Sequence, residues 1–337
     1  FNGMIYISCE NKTSLVEKYD EYMSYVEEIQ EKNDENLLLY MDLNEYIFMH
    51  FFYGSRSIKF EKIDIQEHDI LIKSYYMCAK WCKKGVYKNV KTYDINSAFM
   101  NIMTRNDNTF KFDIPIGKPV FKFINCDEFN QLKFYPYGIY NCIINRTGNY
   151  EIDKFFRFNN ENYYTHFDLQ CAKMLKLKIE INVENTENIM LYEANSRIRN
   201  DKIFNGYAKC CFNMNYNTIL DRKKGKIFKI LSNKIHGLFC KKQRLYSTCR
   251  RINVLKNINE KIVNMSGSID DESTSFFIDK NKFVYESYCR MGIFILAKMR
   301  LFLLEMIMAN VKDLKNVIYM NTDAFSITIE EIQFDEN

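Results

Sequence analysis

Val317-Ile-Tyr-Met-Asn-Thr-Asp-Ala-Phe-Ser-Ile327 reads as two β-rich runs around a short polar turn. Val317–Met320 and Phe325–Ile329 carry the β-branched and aromatic residues that favour strands, and Asn321–Ala324 largely lacks them. The segment predicts a tight hairpin whose tip presents Asp323, although an ordinary polar turn has the same composition. Just upstream, the run from about Arg290 to Ala309 predicts a helix. Its most apolar part, Met291 to Met308, is broken by Lys298, Arg300 and Glu305, which fits a buried helix better than a membrane span. Farther back, Val90–Ile95 predicts a strand running into a short helix. Strands so far apart in sequence, each flanked by helices, imply an α+β organisation.

Composition sets the outer limits. The 337 residues are 47% apolar and 27% charged, which excludes disorder as a description of the whole. The length suggests roughly two domains. With 47 basic and 43 acidic residues the net charge is only +4, so any nucleic-acid surface has to be local. Gly 11 and Pro 3 are low counts, which leaves turn chemistry mostly to Asn and Asp. The 11 cysteines are scattered; Cys78 and Cys82 come nearest to a metal pair, but no second pair follows at zinc spacing. Reduced core thiols in an intracellular compartment are expected. The chain shows no signal peptide, and its opening at Phe1 rather than Met reads as a fragment or a processed product.

Other elements are placed by local pattern. Ser14-x-x-Glu17 has the form of a capping box, with Leu15, Tyr19, Tyr22, Val26 and Ile29 at helical spacing. Short strands are expected at about Leu37–Met41 and Glu45–Met49, and a helix from about Asp69 to Lys84 ending at Gly85. Strands follow near Val120–Phe123, Gly138–Ile144 and Ile179–Val183. Thr165 with Asp168 caps a helix through about Lys176. Long helices are expected over Ala194–Asn213 and Arg222–Phe239. Cys240–Glu286 reads as polar and irregular, with a loop at Met265–Glu272.

Three pieces carry candidate chemistry. Tyr93-Asp-Ile-Asn-Ser-Ala-Phe-Met100 places Asp94 where a strand turns into a helix, exposed at a sheet edge and able to hold a metal. Asp, Asn and Ser there serve equally well as helix caps. In Lys226-Ile-Phe-Lys-Ile-Leu-Ser-Asn-Lys-Ile-His-Gly237, residues Lys226, Lys229, Asn233 and Gly237 share one helix face. Two ammonium groups above an amide and a glycine suit a triphosphate with a base pair close by; a solvated lysine face has the same pattern. The hairpin tip at Asp323 is the third piece.

In this order and at these spacings the pieces resemble the polymerase domain of family B DNA polymerases, and within it the protein-primed type of viruses and linear plasmids. Asp94 and Ser97 match the first motif, D-x-x-S-L-Y-P. Lys229, Asn233 and Gly237 match the second, K-x-x-x-N-S-x-Y-G, and Tyr319, Thr322 and Asp323 match the third, Y-x-D-T-D-S. Met291-Gly-Ile-Phe-Ile-Leu-Ala-Lys-Met-Arg300 looks like the helix preceding the third motif. The likeness spans about Tyr93 to Thr328.

The resemblance implies an antiparallel palm sheet with flanking helices, helical fingers, and two-metal phosphoryl transfer by a DNA-directed DNA polymerase. Asp94, Asp323 and the backbone carbonyl of Ile95 would hold two Mg²⁺ ions, with Mn²⁺ as an alternative. Lys229, with Lys226 second, would contact the triphosphate. Asn233 and Gly237 would border the nascent base pair, and Ser97 and Phe99 would lie by the nucleotide. Primer-template DNA, deoxynucleoside triphosphates and a terminal protein primer are the implied partners, at an intracellular, cytoplasmic or viral replication site and with no membrane.

Departures from the motifs lie at the site itself. Asn321 stands where the family has the leading Asp of the third motif, Phe99 stands for the sugar-discriminating Tyr, and His236 and Lys234 replace the second motif's Tyr and Ser. No D-x-E opening of a proofreading exonuclease is found; Asp42-Leu-Asn-Glu45 has the wrong spacing, and Asp94 in Asn89-x-x-x-Tyr93-Asp94 is better used in the palm. Little chain follows Thr328 for a thumb. The expected division is an N-terminal region at 1–88 (an exonuclease or linker remnant), palm at 89–160, fingers at 161–239, an insertion-like segment at 240–289, and palm again at 290–337. Lys241, Lys242, Arg244, Arg250 and Arg251 make that segment locally basic, as phosphate contact or a solvated loop requires. A catalytically impaired palm scaffold is the main alternative. A reverse transcriptase or RNA polymerase palm is disfavoured, because its later motif ends in paired aspartates.

Overall fold

The hairpin belongs to a four-stranded antiparallel sheet: β1 (Lys80–Cys82), β2 (Lys91–Asp94), β3 (Val317–Asn321) and β4 (Ala324–Ile327), in the spatial order β1-β3-β4-β2. The computed structural model describes residues 43–95, 97–105, 112–215, 226–250, 262–266, 273–328 and 330–332, with positions 17, 20, 23, 24, 26 and 27. For 43, 210–215, 226–232, 244–250, 262–266, 273–281 and 330–332 it describes the backbone alone. The expected strand at Leu37–Met41 and most of the helix after Ser14 lie outside the described residues.

The main helices are α1 (Leu43–Ser55), α2 (Ile65–Ser74), α3 (Ala98–Thr104), α4 (His166–Met174), α5 (Asn200–Asn215), α6 (Lys226–Phe239) and α7 (Cys289–Asn310). Helix α7 is the axis of the core. Every residue from Cys289 to Leu304 is buried, as an apolar pattern without a polar face requires. Among the described residues, no helix is long and apolar enough to cross a membrane. A second antiparallel sheet joins Val120–Lys122, Ile189–Leu191, Gly138–Asn145 and Tyr163–Thr165, with Lys178–Ile181 pairing the far half of Gly138–Asn145.

Two arginines of α7 are buried and paired. Arg290 donates to both carboxylate oxygens of Glu67 on α2, one contact at 2.6 Å, and also to the carbonyls of Glu61 and Ile116. The Tyr192 hydroxyl donates to the same carboxylate at 2.7 Å, and both partners of the pair are fully buried. Ten residues along, Arg300 donates twice to Asp168 on α4 and once to the carbonyl of Tyr76. Asp168 also completes the capping box with Thr165 that the sequence announces. These contacts tie α7 to α2 and α4, and so fix the helix that leads into β3.

Four expectations are corrected. Glu45–Met49 is helical, within α1, because Tyr46, Ile47 and Phe51 fall on one buried face and override their strand preference. There α1 crosses α5 at Gly54 and Gly206; a methyl on Gly206 would lie 2.5 Å from the Gly54 carbonyl oxygen. The helix placed at Asp69–Lys84 runs instead over Ile65–Ser74, capped by Asp64, and ends where Tyr75 turns extended; Lys80–Cys82 is the strand β1. The helix expected from Ala194 starts at Asn200, because Arg197–Arg199 pairs with Asp113–Pro115. Within Cys240–Glu286 the described residues include three antiparallel strands, Lys242–Arg250, Ser273–Phe283 and Ile262–Ser266 in that spatial order, while 267–272 of the expected loop lie outside the described residues.

Removing one partner of a buried pair leaves the other charge uncompensated. Glu67→Ala is expected to lower unfolding free energy by about 3–5 kcal/mol, read as a shifted urea midpoint. A loss below about 1 kcal/mol, as for a surface pair, would contradict this assignment.

Candidate functional site

The strand register gathers the candidate carboxylates. Lys80, Asn321, Ala324 and Asp94 face one another across β1, β3, β4 and β2 in a single row. The next row, Trp81, Met320, Phe325 and Tyr93, points to the opposite face, where Met320 and Phe325 are buried and Tyr93 stacks on Phe325 with centroids 5.1 Å apart. Asp94 therefore stands on the open face, and it is exposed.

At the hairpin tip the backbone is held from both sides. Thr322, in the left-handed region at φ 58°, donates its N–H to the Ala79 carbonyl at 3.0 Å. The Ile95 N–H donates to the Asp323 carbonyl at 3.0 Å. That bond joins the residue after Asp94 directly to Asp323, so the two acidic residues and the Ile95 backbone share one corner of the sheet. Asp323 is partly exposed. Behind it, burial pushes the Cys78 thiol up to about 11; Arg300 opposes the shift and the Asp323 charge adds to it.

Ser97 sits at the N-cap position of α3 in the left-handed region, φ 50°, and makes no side-chain capping bond, so the capping alternative is not realised by its hydroxyl. Ala98, Phe99 and Met100 are buried. Phe99 meets α6 through a flat stack on His236, with ring centroids 3.5 Å apart and planes 7° from parallel. The first- and second-motif segments thus touch. On α6, Ile235, Leu238 and Phe239 turn into the core, while Asn233, Lys234 and Gly237 are exposed. A Cβ on Gly237 would meet nothing within 4 Å, leaving an open notch. Lys226 and Lys229 lie on the same helix, with side chains outside the described residues.

Two features escaped sequence reasoning. Lys80 is the cross-strand neighbour of Asn321, a pairing that only the register reveals. The Phe99–His236 contact joins residues far apart in the chain, and no local pattern announces it. Among the described residues there is no group of three or more His, Cys, Asp or Glu placed to hold a metal. The donors at the corner are two carboxylates and backbone carbonyls, all hard oxygens.

No protein-family profile and no curated protein matches this chain. Solved structures do. Against Phi29 DNA polymerase complexed with single-stranded DNA the TM-score is 0.58 at 13% identity, covering 96% of this chain and 54% of that one. Against Phi29 DNA polymerase in a binary complex with primer-template DNA the values are 0.59 and 14%, over 99% and 57%. Against the ternary complex with incoming nucleotide they are 0.57 and 15%, over 90% and 51%. At this identity the likeness is one of fold, an α+β polymerase-like architecture. The chain spans about half the length of these structures.

Two buried histidines make the fold acid-sensitive. Burial lowers His236 to about 4 and His166 to about 3. In the unfolded chain both titrate near pH ~6.5. Between those values the unfolded chain binds protons that the folded chain does not, so stability is full above about pH 6.5 and falls as pH drops through the window. Urea midpoints are expected to decline from pH 7 to pH 5, less steeply in His166→Gln and His236→Gln. Unchanged slopes in both variants would contradict the burial argument.

Proposed function

We propose that this chain is the core of a template-directed DNA polymerase, adding deoxynucleotides to a primer 3′-hydroxyl. The observation that carries the reading is the corner formed by Asp94, Ile95 and Asp323, closed by the Ile95 N–H to Asp323 carbonyl bond. The polymerase-like fold found by comparison supports it. Asp94, exposed on the open face, and the partly exposed Asp323 would supply negative charge at this corner. With the Ile95 carbonyl they form the all-oxygen donor set that suits Mg²⁺ or Mn²⁺ when substrate phosphates and water complete the coordination. A bound pair of such ions would lower the pKa of the attacking hydroxyl and stabilise the pyrophosphate leaving group.

The chain's own groups do the rest. Lys229, with Lys226 a turn away, would neutralise the triphosphate. Asn233 and the notch at Gly237 would border the new base pair, because an exposed helix face without a side chain at one position admits a flat ligand edge. Ser97 and Phe99 would lie under the sugar. The basic strand pair that includes Lys242 and Arg244 would follow DNA phosphates. Protein priming, with a terminal protein as partner, completes the proposal, at an intracellular site of DNA replication.

A second reading has one specific observation in its favour. Asn321 removes a carboxylate from the open face and stands beside Lys80, so the row carries one acid where the motif has more. A palm kept as a scaffold in a replication assembly fits that change.

Primer extension with Mg²⁺ separates the two readings. Wild type is expected to extend a primer, and Asp94→Asn and Asp323→Asn each to lose more than about 100-fold, since even outer-shell partners of a metal cost 10–100-fold. No extension by wild type on any primer would favour the scaffold. Equal extension by all three proteins would mean that other carboxylates do the chemistry.

A further inference from the structure

We propose that Lys80 and Asn321 form a donor pair that binds a substrate phosphate beside the acidic corner. This rests on the polymerase reading and goes beyond it. Lys80 belongs to none of the matched motifs, and Asn321 is where the third motif departs from its pattern.

Strand register makes the pair. Lys80 on β1 faces Asn321 on β3, and both stand in the row that ends at Asp94 on the open face. Directly opposed residues of an antiparallel pair have Cβ atoms about 4.5–5.5 Å apart, near enough for both side chains to hold one ligand group. The start of β1 is also pinned to the hairpin tip. The Thr322 N–H donates at 3.0 Å to the carbonyl of Ala79, the residue before Lys80. Lys80 and Asp323 are thus the next residues along from two that are bonded to each other.

Hydrogen-bonding sense decides what the pair can take. The Thr322 hydroxyl donates to Asn321 Oδ1 at 3.2 Å. That contact engages the amide oxygen and leaves the Nδ2 group as a donor. Lys80 is exposed and Asn321 partly exposed, and among the described residues no carboxylate forms an ion pair with the Lys80 ammonium. An ammonium and an amide N–H offer donors alone, and the positive charge selects an anion. An aspartate at 321 would instead be an acceptor and would pair with Lys80 across the strands. The departure at 321 therefore turns a cation-holding position into half of an anion-holding one.

Position favours a phosphate as the anion. Lys80 lies two strand spacings, about 10 Å, from Ala324 on β4 and three, about 14 Å, from Asp94 on β2. Ala324 carries only a methyl group, so the face is low between the donor pair and Asp94. A ligand with several phosphates can meet cations at the acidic corner and the two donors on the same face. The phosphate comes from the DNA backbone or from the nucleotide's triphosphate, and the two are separable.

The test uses the full chain as wild type, Lys80→Met, Lys80→Arg and Asn321→Leu, in two arms. One is equilibrium binding of primer-template DNA over a salt series without divalent ions. The other is KM for a deoxynucleoside triphosphate at saturating primer-template with Mg²⁺. If the phosphate is DNA's, the slope of log affinity against log salt falls by about 0.9 in Lys80→Met, the value of one contact. If it is the nucleotide's, that slope holds and KM rises about tenfold, as loss of a charge-assisted hydrogen bond requires. In either case Lys80→Arg keeps the wild-type value, because the charge is kept. Asn321→Leu weakens binding in the same arm without moving the salt slope, because the lost group is neutral. Wild-type behaviour of Lys80→Met in both arms would overturn the inference. A loss shared by Lys80→Arg would also overturn it, since that reports a disturbed strand, and so would wild-type behaviour of Asn321→Leu. If wild type extends primers while Lys80→Met matches it, this inference alone fails. If wild type neither binds DNA nor extends a primer, the polymerase reading fails as well.

Discussion

The antiparallel pairing of Lys91–Asp94 with Ala324–Ile327 is the constraint on which the site depends. Because side chains alternate across a sheet, a slip of one residue would turn Asp94 to the core face and bring Tyr93 into the open row. The register is held by the stack of Tyr93 on Phe325 beneath the sheet and by the Thr92–Ser326 hydroxyl contact of 2.8 Å above it. The Ile95 to Asp323 bond then extends the pairing one step beyond the strands, to the residues that matter. Two segments more than 200 residues apart in the chain reach one corner by backbone hydrogen bonding.

Such a corner needs a rigid support, and α7 supplies it. Its buried arginines reach in different directions, Arg290 to Glu67 and Arg300 to Asp168, each also donating to backbone carbonyls beyond the carboxylate. Hydrogen-bonded pairs of this kind cost much to break and specify one arrangement of the helices around them. The same helix meets α6 through Gly292, so one element braces both the hairpin and the second-motif helix.

Legibility in the sequence followed the range of the forces. The α7 run, the Val317–Ile327 hairpin, the strand before Asp94 and the Thr165–Asp168 capping box are set by periodicity, turn residues and neighbours three or four positions away. Each was readable locally. Glu45–Met49 is helical although Tyr46, Ile47 and Phe48 favour strands in isolation, because the helix buries Tyr46, Ile47 and Phe51 on one face, a long-range gain with no local signature. Residues 240–286 read as irregular because their strand segments lack the apolar-polar alternation that marks a half-buried sheet. For the site, motif spacing singled out Asp94 and Asp323 and raised His236 as a departure. The register that seats Lys80 beside Asn321, and the ring contact between Phe99 and His236, are long-range and have no local signature.

The proposed sharing of metal ions by Asp94 and Asp323 is open to direct mapping. Ferrous ion bound in place of magnesium cuts the backbone nearest to it when supplied with peroxide and ascorbate. The account predicts cuts clustered in two places at once, around 93–96 and around 321–324, both suppressed by excess magnesium and both lost in Asp323→Asn. Cuts at one segment without the other, or an unaltered pattern in that variant, would show that the two carboxylates do not hold a common ion.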